Sequence, residues 1–491
     1  MVSKSGVSIC MLLRKITSNA SYGSISMDAD NELITKPIPG LIAQIAIPAS
    51  IGMFFNTMYN VVDTYFSGLI STEAIAALSL SFPVFFVILA IGFGISMGAT
   101  ALIANSLGAG DEKKSQLYAI QSLSFTLLLS MAMTLIGLFA APFLFRFLGA
   151  SGTYLAISLS YINIIFYGLV FFSLTFVLNA ILTARGDAKT FRNVLIIGFF
   201  LNLVFDPWFI YGGLGMPALG LPGVAWATIL IQLFSTLYMS LRVFRTGLIC
   251  RECWSMFIPR RHFYWEIAKQ GFPASLNTMS IAIGIFIITW FLSKYGQAAV
   301  AAYGIATRVD QIAILPIMGL TTATLTLIGQ NNGAALYQRC REVYRKALLY
   351  GILITTVSMI IVFVFPHLIM KIFTDDQAVL KIGAFYLKIS AFIYWAYIIL
   401  FVAVAALQGL KRPSYAIWIG LYRQIVAPSI VFYVLASKLG MGLSGIWWGI
   451  FLVTWSATVF TVIYVRSTMN TMFVTADEIP TGMKGYYSGK I

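Results

Sequence analysis

IPASIGMFFNTMYN, from Ile47 to Asn60, returns in altered form as FPASLNTMSIAIGI, from Phe272 to Ile285. With Pro48 laid on Pro273 the two copies register about 225 residues apart. The same register sets EAIAALS (Glu73–Ser79) on AAVAAYG (Ala298–Gly304) and NSLGAGDEKK (Asn105–Lys114) on QNNGAALYQR (Gln330–Arg339), with no gap. Further on, Pro142 meets Pro366, Gly186 meets Gly409, and GVAWAT (Gly223–Thr228) meets GIWWGI (Gly445–Ile450), so the alignment slips by only a few residues. Two homologous halves of this kind suggest a carrier that rocks around a central cavity.

Apolar residues fill 59% of the 491 positions and charged residues only 10%. Apolar stretches of about twenty residues recur along the chain, each long enough to cross a bilayer. Twelve spans are predicted, at 41–66, 78–105, 119–140, 155–180, 190–212, 219–243, 271–293, 300–328, 345–373, 384–408, 415–437 and 443–466. Lipid cannot satisfy exposed backbone polar groups, so the spans should be helices. The expected fold is an all-α membrane protein of twelve transmembrane helices in two homologous six-helix bundles. That divides the chain into an N-terminal segment (1–40), an N-lobe (41–243), an inter-lobe loop (244–270), a C-lobe (271–466) and a tail (467–491). The first 40 residues contain no convincing secretory signal, since Ile9–Leu13 is shorter than a signal core of about 7 to 15 residues.

The net charge of +15 is distributed by side rather than by patch. With the N-terminus inside, Lys36, Lys113, Lys114, Arg185, Lys189, Arg192, the central-loop arginines, Arg339, Arg341, Arg345, Lys346, Lys411 and Arg412 share one face. The opposite face receives Arg146, Lys294, Lys371, Lys381 and Lys438. This is the positive-inside pattern, and it places both termini in the cytoplasm of a cell whose inner membrane the chain crosses. A nucleic-acid partner is not expected, because the basic residues sit in short loops and form no continuous stripe. The expected partners are membrane lipid and a small organic molecule, and the expected state is a monomer.

Little conventional chemistry is available. Cys250 and Cys253 form a C-x-x-C beside His262, which supplies one ligand pair where a structural zinc site needs four ligands. His262 and His367 are the only histidines, and no phosphate-cradling loop occurs. The Asn19 glycosylation sequon falls on the predicted cytoplasmic side. No cofactor is therefore expected, and an ion gradient of H⁺ or Na⁺ is the expected energy source. A membrane-embedded enzyme would need a clustered catalytic set that the sequence does not offer.

Of 17 acidic residues, three fall within apolar spans: Asp63, Asp206 and Asp310. A carboxylate at membrane depth costs about 2.5–3.5 kcal/mol on insertion scales, so such residues face a cavity, a partner or an ion path. Asp206 follows Asn202 by four residues, which puts both on one helical face, and Pro207 weakens the helix there. The repeat counterparts, Ile288 for Asp63 and about Ser429 for Asp206, are not acidic, so the acid pair belongs to the first copy alone. Two carboxylates in a dry lobe can exchange a proton for a cation and thereby change the charge of that lobe. Asp310 lies two residues from Arg308; a structural ion pair with Arg423 or Lys388 is the favoured reading, and substrate contact the alternative. Met53, Asn56, Met279, Arg308 and Asp310 are candidate linings of a substrate cavity.

VDTYFSG (Val62–Gly68) after a Pro-led span, the repeated Ala-rich segment, ARGDAK (Ala184–Lys189), NLVFDP (Asn202–Pro207) and GVAWAT together resemble the multidrug and toxic compound extrusion (MATE) family over about 40–466. The set Asp63, Asn202 and Asp206 is similar to the DinF-like branch, in which N-lobe acids form the cation site. By that resemblance Tyr161 and Thr228 join the site and Pro48 marks a bend of the first helix. The NorM-like branch is marked by a glutamate in the seventh span, where this chain has Ile281. The resemblance implies two six-helix bundles in a V, related by an axis along the membrane normal. It also implies antiport of organic, often cationic or amphipathic compounds against H⁺ or Na⁺. A lipid-linked oligosaccharide flippase of the same broad superfamily is the rival reading. It would need more positive charge in the cavity than Arg308, Lys388 and Arg423 supply.

Overall fold

A computed structural model describes residues 31–213, 215–249 and 255–477. Cys250, Cys253 and the Asn19 sequon lie outside the described residues. Long helices dominate: α1 (Ile38–Ile70), α2 (Thr72–Gly108), α3 (Glu112–Phe147), α4 (Gly152–Ala184), α5 (Lys189–Tyr211) and α6 (Leu221–Phe244) form the first lobe. The second contains α7 (Arg261–Ser293), α8 (Gln297–Ala313), α9 (Leu315–Gly333), α10 (Tyr337–Val364), α11 (Gln377–Ser390), α12 (Ile393–Gly409), α13 (Ser414–Lys438) and α14 (Leu443–Asp477). Among the described residues ten helices are long and apolar enough to span a membrane, and the count is twelve when α8–α9 and α11–α12, bent by 45° and 50°, are each taken as one span. The chain is thus an all-α, multi-pass membrane protein.

Local sequence accounts for several element ends. Ser71 and Asp111 cap α2 and α3 by accepting from Ala74 N and Lys114 N. Pro316, in the first turn of α9, has no N–H to give back to α8, and the chain breaks at Ile314. Pro48 does not break its helix, and α1 runs through it as one element. α7 already begins at Arg261, inside the stretch read as loop, because its first turns are charged and a hydropathy window passes over them. Those turns dock on α3, where Tyr118 donates to Glu266 and Ser124 Oγ lies 2.7 Å from Tyr264 Oη.

The lobes meet along a pseudo-twofold seam. A β-carbon on Gly94 of α2 would be driven into Ser275 of α7, and one on Gly319 of α9 into Ala46 and Ser50 of α1. Likewise Gly108 abuts the Gln330 carbonyl and Gly333 the Asn105 carbonyl. Every one of these pairs maps onto its mate at the 225-residue register of the repeat. Asn105 Nδ2 donates to Gly409 O at 2.8 Å, and its counterpart Gln330 Nε2 donates to Ala184 O at 2.7 Å. Structurally, then, Gly409 answers to Ala184 rather than to Gly186, and the register holds without slipping there. Such self-complementary contact is what two copies of one surface produce across a twofold axis.

All these contacts lie in the half of the bundle nearest the ends of α2, α4, α9 and α12. That is the end at which α1 starts and α14 finishes, called here the terminal end. Toward the opposite, far end, the lobes share no such glycine contact among the described residues. Lys36, Lys113, Lys114, Arg185, Lys189, Arg339 and Lys411 all belong to terminal-end loops or helix ends.

Candidate ion-coupling site

Within the first lobe, α1 and α5 pack side by side with Gly52 against Leu195 and Arg192. This brings Asp63, near the far end of α1, onto the Asn202–Asp206 face of α5. Asp63 is 9% exposed, and Asn202 and Asp206 are 0% exposed. Asn202 Nδ2 donates to Asp63 Oδ1 and to Asp206 Oδ1, both at 2.9 Å. One amide carries two hydrogens, so a single side chain ties two acids on two helices.

Four buried polar atoms of this cluster find no hydrogen-bond partner among the described residues: Tyr59 Oη, Asn202 Oδ1, Asp206 Oδ2 and Thr228 Oγ1. Tyr59 lies beside Thr228 and within electrostatic reach of both carboxylates and of Tyr161, which is 6% exposed. Buried polar atoms are normally paired, and each orphan costs about 1–3 kcal/mol. All four are oxygens, and with Asp63 they make a hard-donor set suited to a small hard cation or to an exchanged proton. The residues present therefore fit the ion the sequence implied. Tyr59 was missed by the sequence reading as a site residue, although it precedes Asp63 by four positions and so shares its helical face.

Tyr59→Phe removes a buried hydroxyl that stands beside Thr228 and both carboxylates. The stabilisation conferred by the coupling ion should therefore shrink in this variant. Thermal unfolding with and without Na⁺, and at two pH values, checks this.

Asp310 departs from expectation. Instead of an ion pair with Arg423 or Lys388, it accepts from Tyr386 Oη at 2.8 Å, Ser390 Oγ at 3.1 Å and Tyr394 Oη at 2.7 Å. The physical reason is helix register: Lys388 and Arg308 project to exposed positions, and Arg423 stands over the Tyr397 ring at 5.5 Å. Three neutral donors satisfy the carboxylate where a base was predicted. Met53 and Asn56 lie on α1, half-buried and exposed, and Met279 is half-buried on α7. The hydrogen bonds that assemble the acid cluster involve none of these, nor Arg308.

Three comparisons bear on this geometry. The MatE family profile matches twice, over residues 48–208 and 273–434, so each copy opens on the proline that sets the repeat. The probable multidrug resistance protein YoeA of Bacillus subtilis is 27% identical, over 77% of this chain and 83% of that protein. An FAD transporter of Shewanella oneidensis is 26% identical, over 80% of this chain and 87% of its own length. A multidrug resistance transporter of the MATE family, solved in an outward-facing conformation, superposes with a TM-score of 0.84. It is 26% identical, over 90% of this chain and 98% of that one.

Proposed function

From the premise that this chain belongs to the MatE family, whose members are membrane transporters rather than enzymes, we propose that it exports organic, often cationic or amphipathic molecules in exchange for H⁺ or Na⁺. The N-lobe acids are its coupling site, as in the DinF-like branch. The observation that carries this reading is the double duty of α1. Its far half holds Asp63 against Asn202 and Asp206, and its terminal half seats Ala46 and Ser50 on Gly319 of the other lobe. A charge change at Asp63 therefore acts on the helix that sets the inter-lobe seam.

The glycine seam closed at the terminal end supports assigning this conformation to the outward-open member of an alternating pair, with the basic terminal end in the cytoplasm. A cation entering from the far side reaches Asp63 and Asp206, changes the set of α1 and lowers affinity for the exported molecule. The molecule and the cation must favour opposite states, since a ligand that binds both states equally shifts nothing. Met53, Asn56 and Met279, on the pseudo-equivalent helices α1 and α7, are the side chains assigned to the exported molecule.

Purified protein in vesicles loaded with a cationic dye, with pH and Na⁺ gradients imposed separately, tests the proposal. Efflux driven by one of the two gradients is expected; none under either would sink it.

A further inference from the structure

The two bent spans of the second lobe are tied together at their breaks by one carboxylate. Asp310 sits in the last turn of α8, just before the break at Ile314. Tyr386 and Ser390 lie in the last turns of α11, just before the break at Ala391–Phe392, and Tyr394 opens α12 just after it. All three hydroxyls donate to Asp310. In the first lobe the equivalent spans, α2 and α4, are unbroken. At the repeat position of Asp310 stands Phe85, whose ring meets Phe172 of α4 edge-on at 5.7 Å. The duplicated scaffold has thus placed a polar tie at a bent joint where its sister copy has an apolar contact and unbroken helices.

That joint also touches the first lobe. Ser50 Oγ of α1 donates to the carbonyl of Pro316, two residues beyond the break, at 3.4 Å. The helix that carries Asp63 therefore rests on the bend that Asp310 holds.

No base neutralises Asp310 among the described residues. Its neighbours are the phenols of Tyr303 on its own helix, Tyr386 on α11, and Tyr394 and Tyr397 on α12, with Arg423 of α13 beyond Tyr397. Arg308 and Lys388 point to exposed positions. α7 carries no ionisable side chain between Lys269 and Lys294.

We propose that Asp310 is a second proton-exchange site, separate from the N-lobe acids, and that its protonation releases the tie between the two bent spans. This rests on the transporter reading above. The ionised carboxylate accepts three hydroxyl donors at once. On taking one proton from the aqueous phase it becomes neutral and acquires an O–H that needs an acceptor; Ser390 Oγ, which also reaches Leu387 O at 3.3 Å, supplies one by giving its hydrogen to that carbonyl and turning from donor to acceptor toward Asp310. The joint then loses the arrangement that holds both bends, and α9 is free to reset against Ser50. A two-state element biased by both sites is the physical basis for coupling them.

The test is a distance across the bend. Spin labels on Ala301→Cys and Leu336→Cys, both at exposed positions on opposite sides of the α8–α9 break, are placed in a background whose native cysteines are serine. Measurements use the full chain in lipid nanodiscs, with Asp63→Asn and Asp206→Asn present to silence the N-lobe. Acidification should change the distance distribution, and Na⁺ at constant pH should not. Asp310→Asn should show the acid-state distribution at every pH, and Tyr394→Phe, which keeps the carboxylate, should already populate it at neutral pH. A distribution indifferent to pH, a response to Na⁺ alone, or a pH response that survives Asp310→Asn would each overturn the proposal. Because no transport is measured, failure of the export reading shows separately, as absent dye efflux in the wild-type protein.

Discussion

Asp206→Asn should cut gradient-driven export sharply while leaving the protein folded, and Asp63→Asn should do the same. Asparagine keeps the size of the side chain and an oxygen for Asn202 Nδ2, which stands 2.9 Å from each carboxylate. What it removes is the ability to gain and lose charge. Coupling free energies of about 1–3 kcal/mol correspond to about 5- to 150-fold, so efflux should fall by that factor, toward leak. Because one amide joins both acids, the losses should not add: the double variant should be no worse than either single one. Dye efflux from vesicles measures the rate, and equilibrium dye binding verifies that the cavity persists. Wild-type coupled rates in both single variants would reduce the pair to a structural hydrogen-bonded bridge.

Gly108→Ala and Gly333→Ala should open the terminal end. Neither glycine has a left-handed backbone, so strain is not the reason. The added methyl meets the backbone carbonyl of Gln330 in one case and of Asn105 in the other, and a backbone atom held in a helix cannot swing aside as a side-chain tip could. The lobes must separate instead. Overpacking costs about 1–3 kcal/mol, which lowers the closed population about 5- to 150-fold relative to the open one. Labels on the exposed residues Lys113 and Arg412, one in each lobe, should move apart, and export should slow because the outward-open state becomes scarce. Gly40→Ala is the control, since a β-carbon there meets nothing within 4 Å. An unchanged label distance in both variants would mean that the seam is not a gate.

Much of this was legible in the residues. A carboxylate inside an apolar span has so few tolerable environments that Asp63 and Asp206 were marked before any fold was known, and the four-residue step from Asn202 to Asp206 already put two members of the site on one face. Tyr59 was legible by the same step from Asp63. Asp310 was not. Its partners lie 76, 80 and 84 residues away, and composition suggested the nearest bases when the packing of α8 on α11 supplied hydroxyls. Nor was the break at Ala391–Phe392 visible, because no proline or glycine announces it.

By itself the sequence determined a membrane-embedded, duplicated helical chain with three of its 17 acids inside apolar spans, because lipid imposes helices of a minimum length and a repeat imposes its own symmetry. Tertiary structure alone decided that a single amide would bridge two acids, that glycines would let the lobes close at one end, and that a carboxylate would pin two bends. Each of these depends on which faces of separate helices meet. Periodicity fixes the direction of a side chain around its own axis, and only packing fixes what stands opposite.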